Sequence, residues 1–253
     1  MNLFVHKNSS FVKLSLFIFL ALAIGLGFAV PQVQAENKKL KVWSERKFER
    51  TILSIDKDLN RKRWKKVIER SEKALPHCIA LYSERSLTCI FVLRNINQSY
   101  AKLHIFNPDS GQIERAYRLS TEVLGKTHFT TTNARDYYYK YLIFNENYAP
   151  AIPVVKEIIE LEINSTNDAY QLMERYKQLY ALEGLTENWP EEEAALHMVM
   201  KLARDVLGEE SEDFKAAVEA LAYNYCTQKK YYEYFQLIKE QQQEISCFSE
   251  PNG

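Results

Sequence analysis

The chain has 253 residues, 33 acids against 33 bases, and a 46% share of hydrophobic residues. That length suits one large domain or a repeat array. The neutral balance excludes a general nucleic-acid binder, which needs a cationic excess to displace counterions from phosphate.

Residues 1–35 have the build of a secretory signal peptide: Lys7 and Lys13 give a positive start, residues 14–30 an uncharged apolar run, and Val33-Gln34-Ala35 a small-residue cleavage segment. Cleavage after Ala35 is expected, with an uncleaved membrane anchor as the alternative, because the run sits at the short edge of what spans a bilayer. No cysteine lies near Ala35 for lipid attachment. Export follows, with the bacterial periplasm as first location and secretion as second. Residues 36–45 read as a linker. Bases crowd the stretch 38–73, among them Lys38, Arg46, Arg50, Arg61, Lys62, Arg63, Lys65 and Lys66, whereas acids dominate 157–219. The basic end suits solvated helix faces, or peripheral contact with a membrane or other polyanion.

From residue 46 onward the pattern is helical. Leu196, Val199, Met200, Ala203 and Leu207 recur at three- and four-residue spacing, and no alternating strand pattern competes. Gly111, Gly125, Gly184 and Gly208 separate amphipathic runs, and Pro76, Pro108, Pro150, Pro153 and Pro190 fall in gaps or first turns. The spacing predicts five helical hairpins: 46–59 with 62–75, 84–105 with 111–124, 129–144 with 149–163, 167–183 with 190–207, and 211–228 with 231–245. Residues 246–253 read as a frayed tail. Trp64, Phe106, Tyr148, Pro190 beside Trp189, and Tyr231 mark the second helices at steps of 42 or 41 residues. A lone hairpin leaves its apolar face open, so the units must stack.

Leu207-Gly208, Leu221-Ala222, Tyr225 and Gln228-Lys229-Lys230-Tyr231, with Leu124-Gly125, His128 and Asn145-Glu146-Asn147-Tyr148, carry a resemblance to the 42-residue tetratricopeptide repeats of kinesin light chains. The resemblance implies an all-α, right-handed α-solenoid of about five stacked hairpins over residues 46–245. At the position where paired helices approach closely it places Ala181 and Ala222, but Ile55, Asn97 and Tyr139 in the first three units. It further implies a concave groove lined by the first helices, for which a protein or peptide ligand is the expected partner. By register the groove residues are Phe91, Arg94, Gln98, Lys102, Asn133, Asp136, Lys140, Arg175, Gln178, Glu219 and Tyr223.

No catalytic constellation emerges: G-x-S-x-G, a phosphate loop and H-E-x-x-H are missing from the sequence. His77, His104, His128 and His197 are expected in capping, surface or core roles, so no cofactor or metal is expected. Glu191-Glu192-Glu193 complement a helix N-terminus. Tyr137, Tyr138, Tyr139 and Tyr141, with Tyr231, Tyr232 and Tyr234, crowd more than one helix face, so they divide between core and surface. Cys78, a loop residue in this reading, is expected to pair with Cys89. Cys226 with Cys247 requires the last helix to break early. Asn97-Gln98-Ser99 and Asn164-Ser165-Thr166 have the form of glycosylation acceptors. The expected function is a non-enzymatic interaction or scaffold module; the alternatives are a structural part of an envelope or secretion assembly and a helical enzyme whose site follows no motif.

Overall fold

A computed structural model describes residues 41–106, 111–165, 168–241 and 245–247. The signal-peptide segment, most of the linker, Pro108, Thr166 and residues 248–253 lie outside the described residues. Lys41 to Gly253 forms one compact unit.

The described residues contain ten helices: α1 (Glu45–Asn60), α2 (Trp64–Tyr82), α3 (Leu87–Lys102), α4 (Gln112–Leu124), α5 (Phe129–Phe144), α6 (Tyr148–Ser165), α7 (Ala169–Leu185), α8 (Trp189–Leu207), α9 (Glu212–Thr227) and α10 (Tyr231–Gln241). Each packs on its neighbours in sequence, and α3 also touches α5. The result is an all-α stack of five helical hairpins, as the spacing predicts. Two expected boundaries move furthest. α2 runs through Pro76 to Tyr82, because burial of Leu75, His77 and Cys78 outweighs the lost backbone donor. α10 ends at Gln241.

The period is written in the backbone more evenly than in the side chains. Lys62, His104, Glu146, Glu187 and Lys229 each hold a left-handed φ of 54–60° in the turn inside a hairpin. They are spaced by 42, 42, 41 and 42 residues, and two positions later stands an aromatic: Trp64, Phe106, Tyr148, Trp189 or Tyr231. The marker of the fourth unit is therefore Trp189, not Pro190. First helices open on a capping side chain: Ser44, Ser86, His128, Asp168 and Ser211 each accept a hydrogen bond from a backbone N–H of the first turn. The turn after a second helix also repeats, with φ of 74°, 87° and 86° at Ser83, Gly125 and Gly208. Ser83 adopts there a conformation that suits glycine.

The same register revises one position. Seven residues before each turn marker stand Ile55, Asn97, Tyr139, Tyr180 and Ala222. Ala181 is exposed, so only the last unit has alanine at the close approach.

The apolar core is not continuous along the array. One cluster spans α1–α4, centred on Ile55, Leu75, Leu93 and Ile96. Two others, spanning α5–α8 and α7–α10, adjoin through Leu172, Tyr176 and Tyr180. Between α4 and α5 the packing is polar and aromatic. Arg135, 3% exposed, donates from Nε to Glu157 at 2.8 Å and from its terminal nitrogen to the Lys126 carbonyl at 2.6 Å. Its guanidinium lies 5.9 Å from the Tyr117 ring, which stacks on Tyr138 at 5.5 Å. Tyr137 donates its hydroxyl to the Ile105 carbonyl.

Cys78 and Cys89 are bonded, joining α2 to the first turn of α3 across 5.7 Å between Cα atoms. Cys78 lies within α2, not in a loop. Cys226 is bonded to Cys247, with Cα atoms 5.5 Å apart, and the early end of α10 permits it.

Candidate functional site

The face expected to receive a partner is built by the first helices. Measured from the turn markers, positions thirteen, ten and six residues upstream form one stripe in each unit: Phe91, Arg94 and Gln98 on α3; Asn133, Asp136 and Lys140 on α5; Glu174, Lys177 and Ala181 on α7; Ala216, Glu219 and Tyr223 on α9. Arg94, Glu174 and Lys177 are half-buried and the other nine are exposed. Lys102, one turn beyond Gln98, is exposed as well.

The single 41-residue step displaces the fourth unit. Arg175 and Gln178 stand one residue beyond the stripe and are half-buried; Arg175 pairs with Glu162 at 3.0 Å and donates to the side-chain amide oxygen of Gln178 at 3.4 Å. Sequence reasoning missed Glu174 and Lys177 because it stepped by 42 across this gap. The offset between Tyr148 and Trp189 was the available signal.

The stripe divides electrostatically. On α7 it is closed on itself: Lys177 bonds Glu174 at 2.7 Å and also Asp213. On α3 and α5 it is open. Gln98, Lys102, Asn133, Asp136 and Lys140 make no side-chain hydrogen bond or ion pair among the described residues. Arg94 holds its guanidinium 4.8 Å from the Phe91 ring, and its buried Nε meets no acceptor. Because α3 touches α5, these groups occupy neighbouring helices.

Other candidates resolve differently. His77 is buried, stacks on Trp43 at 4.1 Å between ring centroids, and accepts the Trp43 backbone N–H on Nδ1 at 3.3 Å. Burial, then Lys47 and Lys73, hold its pKa below the ordinary histidine value. His104 is a turn marker, His128 caps α5, and His197 meets the Tyr225 hydroxyl at 3.1 Å. The acidic run serves separate partners: Glu191 pairs with Lys156 at 3.2 Å, Glu192 accepts from Asn224 at 2.8 Å, and Glu193 pairs with Lys230 at 2.5 Å. Burial raises the Glu192 carboxyl, and the Asn224 hydrogen bond opposes it. A Cβ on Gly184 would come within 2.6 Å of Glu192. Among the tyrosines, Tyr137 and Tyr234 are buried, while Tyr231 and Tyr232 are exposed. Asn97 is only 4% exposed, which removes it as a glycosylation acceptor in the folded chain. Arg61, Lys62, Lys65 and Lys66 are exposed around the first turn marker and form no ion pair among the described residues. No described helix is long and apolar enough to cross a membrane.

No protein-family model and no curated protein matches the sequence. Two crystal structures of a Podosopora anserina protein described by kinesin-light-chain, nearly identical TPR-like repeats, one of them a single-substitution variant, are similar at 10% identity. Both comparisons cover 78% of this chain and 93% of that one, with TM-scores of 0.47 for the variant and 0.48 for the other. BtubC (BKLC) from P. vanneervenii is similar at 14% identity over 65% of this chain and 66% of its own, with a TM-score of 0.44.

Proposed function

We infer that the chain is a non-catalytic, exported scaffold that binds a peptide or protein segment along the stripe on α3 and α5. One observation carries this reading: open charged and amide groups are gathered there on two touching helices, whereas ion pairs close the same stripe on α7. Lys156 bridges Glu183 and Glu191, Arg115 meets Glu84, and Lys230 meets Glu193. Lys102, Asp136, Lys140 and Asn133 instead present charge and amide to solvent, and the Arg94–Phe91 pair offers a flat aromatic surface beside an unsatisfied donor. An extended or helical segment would supply carbonyls and carboxylates to Arg94, Lys102 and Lys140, and an apolar side chain to Phe91. Two cystines within one compact unit support an oxidising compartment.

The test is a crosslinking capture from envelope extract, comparing the wild type with an Arg94→Ala, Asp136→Ala, Lys140→Ala variant of unchanged helical circular dichroism. A discrete partner held by the wild type and lost by the variant is the expected result; undiminished capture by the variant overturns the assignment. A second surface is favoured by the open cations Arg61, Lys62, Lys65 and Lys66. Salt-sensitive binding of the protein to anionic vesicles would identify them as a peripheral contact.

A further inference from the structure

A solenoid has two ends, and this one finishes them differently. Six residues after the turn marker, the second helices carry Ile68, Ile152, Glu193 and Phe235. Within the array these positions are occupied by neighbours. Ile68 is buried, Ile152 packs on the third-to-fourth-unit cluster, and Glu193 bonds Gln228 and Lys230 of the next hairpin. Phe235, in the last unit, is 61% exposed, Tyr232 before it is 73% exposed, and Tyr231 is 42% exposed.

The opposite end is a polar cap. The α9 residues Phe214, Ala217, Val218 and Leu221, buried in the cluster shared with α7 and α8, correspond by register to Lys47, Arg50, Thr51 and Ser54 on α1. Repeat arrays need such polar outer faces at their termini. α1 has one; α10 does not. Head-to-tail stacking would offer α10 the polar face of Lys47, Arg50, Thr51 and Ser54 where the inner units supply Phe214, Ala217, Val218 and Leu221, so α1 is a poor cover for that apolar face.

α10 complements itself instead. Tyr232, Phe235 and Lys239 stand at i, i+3 and i+7, the spacing of a seam along one side of a helix. In an antiparallel pair of α10 helices centred between Phe235 and Gln236, Tyr232 of one copy lies opposite Lys239 of the other. The ammonium then faces an aromatic ring twice, once on each side of the axis. The Phe235 rings meet near the centre. Parallel pairing would set lysine against lysine.

We propose that the protein forms a tail-to-tail twofold dimer through the exposed face of α10, with a second copy of the chain as the occupant. The interface is isologous, the arrangement most soluble homo-oligomers use. A seam of 11 residues is about 16 Å long, short for a standard interface, so dissociation is expected in the micromolar range. The stripe on α3 and α5 takes no part, and the dimer stands independently of it.

The test uses protein purified from cells expressing the full chain, followed by sedimentation velocity from about 1 to 200 µM, a span chosen to bracket a micromolar constant. The wild type should pass from monomer to dimer. A Tyr232→Ser, Phe235→Asp variant with unchanged circular dichroism should remain monomeric throughout. Gln236→Cys, close to the axis, should crosslink to its own counterpart on mild oxidation, whereas Leu53→Cys on α1 should not. A wild type that stays monomeric at the highest concentration, or a variant that dimerises as the wild type does, overturns the proposal. So does dimerisation seen only in a chain ending at Cys247, which would make residues 248–253 the natural cover of this face.

Discussion

The two ends of the array and its middle are held by different physics. At the N-terminal end, the α1–α4 cluster buries Ile55, Leu75, Val92, Leu93 and Ile96, and a cystine ties α2 to α3. At the other end Leu196, Val218, Leu221 and Ala222 do the same work beside a second cystine. Near the joint between α4 and α5 lies one buried guanidinium that binds the α6 carboxylate of Glu157 and the Lys126 backbone carbonyl, beside stacked tyrosines. Apolar packing spreads its contribution over many contacts and degrades gradually. A buried polar joint is close to all-or-none, because removing one partner leaves the other desolvated and unpaired. The array is therefore most sensitive to substitution near its centre.

The sharpest way to break this contrast is Arg135→Ala, which leaves the Lys126 carbonyl without its donor and Glu157 with only the half-exposed Lys126 ammonium as an ion-pair partner. A loss of roughly 3–5 kcal/mol is expected from the behaviour of broken buried ion pairs, read from urea unfolding followed by circular dichroism. Arg135→Met with Glu157→Leu should recover much of it. A cost for Arg135→Ala below about 1 kcal/mol, the level of an exposed pair, would show that the middle is held like the ends.

Next in size is the N-terminal staple. Replacing Cys78 and Cys89 together by serine opens an 11-residue link, and chain-entropy reasoning gives a loss of roughly 3 kcal/mol. Hydrogen exchange should show α2 and α3 losing protection while α7–α10 keep theirs. Uniform loss would mean that the clusters are not separate. Mass mapping after non-reducing digestion should recover both pairs, Cys78–Cys89 and Cys226–Cys247.

A smaller and opposite effect is expected at Ser83. Its φ of 74° matches the glycine turns at Gly125 and Gly208, so Ser83→Gly should stabilise the first hairpin by about 1 kcal/mol, the scale of strain in that region. A destabilised variant would mean that the serine hydroxyl contributes more than its backbone strain.

The smallest effect is pH-dependent. Burial, and then Lys47 and Lys73, lower the His77 pKa in the folded chain. The neutral ring is the folded form, so its contribution is complete above the unfolded value near 6.5. It declines as pH falls through the folded value, because the unfolded chain takes up the proton first. Protonation of Nδ1 also removes the acceptor for the Trp43 backbone N–H. In a Trp64→Phe, Trp189→Phe background, Trp43 emission should shift toward that of exposed indole between pH 7 and 5, and a His77→Gln chain should lack the transition. An unchanged spectrum would detach the segment before α1 from this titration.

Helices and their pairing were legible in the sequence because amphipathic spacing, glycine gaps and the aromatic at each second-helix start all agree. The fourth-unit register was not, since one missing residue between Glu146 and Glu187 shifts every later position while leaving the apolar pattern almost intact. Ser83 hid a repeat turn because the backbone angle recurs there and the glycine does not. Pro76 misled for the converse reason: proline marks helix ends by local preference, and burial of its neighbours overrode it. The polar joint had no sequence signature, as Arg135 resembles any surface arginine until Glu157, 22 residues later, is folded against it. Of the stripe, Phe91 to Lys102 and Asn133 to Lys140 were readable from the period, whereas Glu174 and Lys177 required the turn geometry.

The placement of the two cystines also bears on how the chain matures. Four cysteines allow three pairings, and a chain released all at once would have to search among them. This one emerges from its N-terminus. Cys78 and Cys89 are 11 residues apart, whereas Cys226 lies 137 residues beyond Cys89 in the sequence. The first pair can close, and the α1–α4 cluster can form around it, while the second pair is still being synthesised. By the time Cys247 appears, Cys226 has one free partner left. Order of appearance thus resolves an ambiguity that composition leaves open, and a disulfide isomerase should be dispensable for correct oxidation of this protein.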